Sequence, residues 1–99
     1  MNLISNKDFD KIKDKAIVVD VRSEFEYSSL EKIEPSINCP IMKFLKNYED
    51  IVGTDKSRYI VTICNGGNRS GEAAIFLRQQ GYKNAYVLER GIYGYKHLI

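Results

Sequence analysis

Apolar and polar positions follow two rhythms along this chain. The run Ala16-Ile17-Val18-Val19 is short, β-branched and apolar throughout, the pattern of a strand covered on both faces, and it ends at Asp20. Tyr59-Ile60-Val61-Thr62-Ile63 and Ala85-Tyr86-Val87-Leu88 share that character. Elsewhere the spacing changes to that of a helix. Arg69 to Gln80 sets Ala73, Phe76 and Leu77 on one face and stops at Gly81, the usual residue just past a helix C-terminus. Ser5 is placed to cap a short helix through Lys13, in which Phe9 and Ile12 share a face. Ser23 is placed to cap another that holds Phe25 and Glu26. Met42 to Tyr48 predicts a further short helix. Ile37-Asn38-Cys39 predicts a brief extended segment, because the residue before Pro40 avoids helical angles. Strands alternating with helices predict an α/β fold, a central parallel sheet flanked by helices on both sides.

The 99 residues suffice for one small domain, 1–99. A chain of this size buries roughly 60–68% of its unfolded surface, enough for a core without staples. A composition of 43% hydrophobic and 28% charged residues excludes a disordered chain. The net charge of +2 comes from charges that alternate in sign, as in Lys13-Asp14-Lys15, so nucleic-acid binding is not expected. No apolar run reaches the ~20 residues of a membrane span. Met1 to Asp14 lacks the apolar stretch of a signal peptide. The expected setting is cytoplasmic, where thiols stay reduced. Cys39 and Cys64 form no CxxC pair and His97 is the one histidine, so no metal site is expected.

The strongest strand is followed by Cys64-Asn65-Gly66-Gly67-Asn68 and then by a helix. Strand, glycine loop and helix together make an anion site. The first amides of a helix have no internal partners, and the helix dipole adds about half a positive charge at that end. Gly66 and Gly67 are expected to take the positive φ angles that an amide nest needs. The atom placed there is the sulfur of Cys64, with Arg69 as a nearby cation. Both influences lower a thiol pKa and favour the nucleophilic thiolate. The residues alone leave a second reading open: a small hydrophobe at a strand end, followed by a tight turn. A phosphate loop is excluded, since Glu72 and Ala73 stand where Lys and Ser or Thr would follow Gly66 and Gly71. A dinucleotide loop lacks its third glycine.

Six segments in order resemble the rhodanese-like sulfurtransferases. They are Val18-Val19-Asp20-Val21-Arg22, Glu26-Tyr27, Ile37-Asn38-Cys39-Pro40, Ile63 through Ser70, Leu77 with Gly81-Tyr82, and Leu88-Glu89 with Gly91-Ile92. The resemblance implies an α/β fold with a central parallel sheet. It also implies a catalytic Cys64 that takes sulfur from a donor as a persulfide and passes it to an acceptor. In sulfur-transferring members the loop that starts at the cysteine has six residues, as Cys64 to Arg69 does. Related phosphatases use one residue more. The substrate loop is therefore Asn65, Gly66, Gly67, Asn68 and Arg69, with Asp20 and Arg22 in support. Asp20 is expected to pair with Arg69, and Arg22 is either a substrate-side cation or, the favoured reading, a structural partner for Glu26.

The implied reaction needs no cofactor. Its donor is thiosulfate or a persulfide, small or protein-borne, and its acceptor is a thiol or cyanide. With Arg69 as the loop's lone cation, a persulfide is the expected donor. Cys39 is expected in the core, as are Tyr93 and Tyr95. A non-catalytic interaction module is the alternative, and a phosphatase- or arsenate reductase-like enzyme a weaker one. The oligomeric state is not encoded in these motifs. The sequence departs from the family at Glu31 to Ser36, where Gly-His-Ile-Pro-Gly-Ala is common, at Arg90, where a glycine is usual, and at Tyr95, where a tryptophan is common.

Overall fold

A computed structural model of the chain describes residues 2–96; Met1 and residues 97–99, His97 among them, lie outside the described residues. Ten elements alternate along it. They are β1 (Leu3–Ile4), α1 (Asn6–Ile12), β2 (Ile17–Asp20), α2 (Glu24–Ser29), β3 (Ile37–Asn38), α3 (Ile41–Val52), β4 (Ile60–Ile63), α4 (Asn68–Gln79), β5 (Ala85–Leu88) and α5 (Gly91–Lys96). The five strands form one sheet in the order β1-β5-β4-β2-β3, and every pairing is parallel. Parallel strands require crossovers, and the helices supply them on both faces.

Alternation along the strands divides the core in two. Val19, Val21, Ile60 and Ala85 face α3 and α4, where they meet Phe44, Val52, Ala73 and Leu77. Val18, Val61, Ile63 and Leu88 face α1 and α5, where they meet Phe9 and Ile92. Phe9 and Phe44 are fully buried, one under each face. Loss of either ring costs about 3–5 kcal/mol through lost transfer energy and the cavity left behind.

The helix starts follow the serines. Ser5 accepts the amide of Asp8, and Ser23 forms a complete capping box with Glu26. The helix expected over 42–48 runs further, from Ile41 to Val52, with a kink at Asn47, whose side-chain amide donates to the carbonyl of Lys43. Strand β1 was not foreseen. Its two residues are too few for a periodic pattern, and their extended form comes from pairing with Val87 and Leu88. Gly81 ends α4 at φ 98°, the left-handed turn expected of it.

All five strands point their carboxyl ends to one rim. In open α/β sheets this rim is where ligands bind. The register sets Asp20, the last residue of β2, beside Ile63, the last of β4. The segments that leave β2, β4 and β5 therefore meet around Cys64. No described helix is long and apolar enough to cross a membrane.

Candidate active site

Cys64 leaves β4 directly into the loop and is almost fully buried, 2% exposed. Its Sγ accepts the backbone N–H of Gly67 at 3.0 Å and lies 3.3 Å from the hydroxyl of Ser70. Gly67 takes φ 110°, which only glycine adopts without strain, and this turn aims its amide at the sulfur. Gly66, also expected at positive φ, does not need it; one left-handed residue is enough to close the loop.

Burial opposes ionisation of the Cys64 thiol. Hydrogen bonds from the Ser70 hydroxyl and from the amides of Ser70, Gly67 and Arg69 together outweigh it, and the pKa falls below the ordinary thiol value. This is an oxyanion-hole arrangement with sulfur in place of oxygen. Cys39 shows the opposite balance. It lies in the core, and burial pushes its thiol up despite the positive charge of Lys43. Both cysteines are free, and of the two only Cys64 has its pKa lowered by its surroundings.

The loop backbone is held from behind. The amide of Ile92, in the first turn of α5, donates to the carbonyl of Cys64 at 2.9 Å, and that of Tyr93 to the carbonyl of Asn65 at 3.5 Å. Gly91 allows this approach. It sits at φ 63°, and a Cβ there would stand 2.3 Å from the Asn65 oxygen. Fixing those carbonyls on one side turns the following amides toward the sulfur.

The charged groups pair differently from the expectation. Asp20 pairs with Arg22, not with Arg69. Arg22 Nε and Nη2 reach the Asp20 carboxylate at 2.8–3.1 Å, and both side chains are wholly buried. Two residues apart at a strand end, they close a tight ring that the Arg22 backbone amide completes. Glu26 takes Arg69 instead of Arg22, with oxygens at 2.7 and 2.9 Å from Nη1 and Nη2. The capping box aims Glu26 at the loop, and the Arg69 guanidinium holds its carboxyl down at about 2.

Asn65 joins the two pairs. Its Oδ1 accepts from Arg22 Nη1 at 3.0 Å, and its Nδ2 donates to Glu26 at 3.1 Å. Asn38 fastens the rim further, donating to the carbonyls of Asp20 and Arg22. One network thus links β2, α2, β3 and the cysteine loop. Asn68 is exposed at the start of α4. Tyr95 packs edge-on against Phe9 and its hydroxyl donates to Asp10, so it ties α5 to α1; Tyr93 is exposed.

Sequence reasoning missed three contributors. Ser70 carried a signal, a hydroxyl in the first turn of a helix that begins at a cysteine loop. Gly91 carried a weaker one, a glycine between a strand and a helix. For Glu26 the residue was visible and its partner was not. No group of three or more metal-ligating side chains occurs among the described residues.

Comparison with known proteins bears on this geometry. The family model described as Rhodanese-like domain matches residues 5–98. The chain is 34% identical over 96 residues to the tRNA uridine(34) hydroxylase of Pelagibacter ubique (strain HTCC1062), a match covering 95% of this chain and 32% of that protein. The chain spans about a third of the length of the curated relatives it matches. The crystal structure of a rhodanese-related protein from Thermoplasma volcanium superposes with a TM-score of 0.83 at 30% identity, covering 97% of this chain and 91% of that one. A human single domain sulfurtransferase superposes at 0.86 over 100% and 98% of the two chains; at 17% identity it shares the fold.

Proposed function

The chain belongs to the rhodanese-like domain family, and from that premise we propose that it is a sulfurtransferase working through a persulfide on Cys64. The observation that carries the reading is the buried Sγ, held by the Gly67 amide at 3.0 Å and the Ser70 hydroxyl at 3.3 Å at the foot of α4.

The Cys64 thiolate attacks the outer sulfur of a donor. A new S–S bond forms as the donor's own bond to that sulfur breaks, and the leaving group departs with the electron pair. The loop amides between Asn65 and Arg69, with the α4 dipole, stabilise the persulfide anion. A thiolate or cyanide then attacks the outer sulfur, and the bonding pair returns to Cys64. No cofactor is consumed. The compartment that suits such a thiol is the reducing cytoplasm.

The pairing of charges bears on the donor. Arg69 is engaged by Glu26 and Arg22 by Asp20, so neither guanidinium is free to meet a dianion. This favours an organic or protein persulfide over thiosulfate. Initial rates of thiocyanate formation test the reading. Varying donor and cyanide together should give the parallel double-reciprocal lines of a ping-pong reaction, and Cys64→Ala should form no thiocyanate.

A second reading rests on the curated relatives. They are named as tRNA uridine(34) hydroxylases, and this domain matches only part of each. In that case the chain serves tRNA modification, with dioxygen as the oxidant and oxygen source, and nucleoside analysis of tRNA incubated with it in air, but not under nitrogen, would show hydroxylated uridine. A purely binding module is the third option. The donors gathered on Cys64 Sγ, the Gly67 amide and the Ser70 hydroxyl, weigh against it, since a scaffold has no need of hydrogen bonds that favour a thiolate.

A further inference from the structure

A cleft of about 480 Å³ opens directly beside the cysteine loop. Leu45 of α3 forms one wall, and Ile75 and Phe76 of α4 the other. Gly67 and Gly71 also line it. Phe76 is held edge-on by Tyr48 at 5.1 Å, and Tyr48 is held in turn by Tyr82 at 6.1 Å, so that wall is rigid. The volume suits a small organic molecule. Gly67 lines the cleft and also donates its N–H to Cys64 Sγ at 3.0 Å, so the cleft borders the residue that holds the sulfur.

Gly71 has no local reason to be glycine. It lies inside α4, where glycine costs about 1 kcal/mol relative to alanine. Its backbone is not left-handed, and a Cβ built there meets nothing within 4 Å. Neither the turn of the chain nor the packing of a neighbour requires the missing side chain. What the absence does is keep the cleft lining bare, as glycine does where a ligand approaches a backbone closely.

The charge of the lining selects among ligands. Glu72 is the one charged side chain there among the described residues, and the nearest loop cation, Arg69, is held by Glu26. An anion finds no counter-charge, whereas an apolar, uncharged body finds Leu45, Ile75 and Phe76.

We propose that this cleft seats the sulfur acceptor, a low-molecular-weight thiol with an apolar, uncharged body, and that Gly71 is the residue keeping it open. The inference rests on the sulfurtransferase reading. The bound thiol loses its proton to water and its sulfur attacks the outer sulfur of the Cys64 persulfide. The new S–S bond forms on the acceptor, and the electron pair of the broken bond returns to Cys64.

Benzyl mercaptan is the probe acceptor and cyanide the small reference. Gly71→Leu places a side chain in the cleft on a good helix former. It should raise the ratio of the KM for benzyl mercaptan to that for cyanide about tenfold, and Gly71→Ala should raise it less. A ratio that stays within about twofold in Gly71→Leu overturns the inference. A second measurement needs no turnover. Benzyl methyl sulfide, which has no transferable sulfur, is titrated into wild-type protein and the backbone amide resonances are followed by NMR. Shifts centred on Gly67, Gly71 and Ile75 support the cleft, and shifts elsewhere or none overturn it. If wild-type protein transfers no sulfur at all, the sulfurtransferase reading fails, and the NMR titration still decides the cleft.

Discussion

Glu26 grips Arg69 through both carboxylate oxygens, at 2.7 and 2.9 Å, and thereby removes the loop's one cation from the reach of an anionic substrate. Glu26→Gln keeps the shape and removes the charge. Thiosulfate should then become a better donor, with kcat/KM rising about three- to tenfold, while an organic persulfide, which carries at most one negative charge against thiosulfate's two, gains less. Parallel assays with the two donors check this.

The same pair gives a pH dependence. The folded carboxyl, at about 2, lies below its ordinary 4.5. Its contribution to stability is therefore complete above the ordinary value and is lost as the pH falls toward the folded one. With the pair partly exposed to solvent, the contribution is about 1 kcal/mol. Urea unfolding of wild type and Glu26→Gln should differ by that amount at neutral pH and converge near pH ~2.

The Cys64 thiol should ionise below an ordinary cysteine, because hydrogen bonds to the thiolate outweigh its burial. The rate of alkylation by iodoacetamide against pH should have its midpoint below that of the same cysteine in the urea-unfolded chain. Ser70→Ala removes one of those hydrogen bonds and should move the midpoint upward. An unchanged midpoint would remove Ser70 from the site.

Gly91→Ala should damage the loop from behind. A methyl group there meets the Asn65 carbonyl, and φ 63° is itself unfavourable for alanine. A loss of about 2–4 kcal/mol in stability is expected, with slower alkylation of Cys64. Thermal unfolding and the alkylation rate measure the two effects.

Asp20→Asn should be among the most harmful polar changes. It leaves the buried guanidinium of Arg22 without its counter-charge, at a cost of about 3–5 kcal/mol. Denaturant unfolding measures the loss.

Much of this was readable in the chain. Strands β2, β4 and β5 are mostly apolar runs, broken only by Asp20 at the end of β2 and Thr62 within β4, and such runs have few alternatives. Cys64 stood out because a strand, a glycine pair and a helix start make a local anion site. Pairing was not readable. Asp20, Arg22, Glu26 and Arg69 were all visible, but which cation meets which carboxylate depends on how α2 lies against the cysteine loop, and Glu26 and Arg69 are 43 positions apart. β1 escaped because two residues carry no period and take their form from β5. The bareness of Gly71 acquires meaning only when the space beside it is seen.

The central claim is that Cys64 carries sulfur. It is tested most directly by treating the protein with an organic persulfide and, separately, with thiosulfate, then weighing it intact and mapping the adduct by peptide mass. One added sulfur atom on Cys64 from the persulfide donor, absent in Cys64→Ala, is the expected result. No added sulfur from either donor, or an adduct on Cys39 that survives Cys64→Ala, would contradict it.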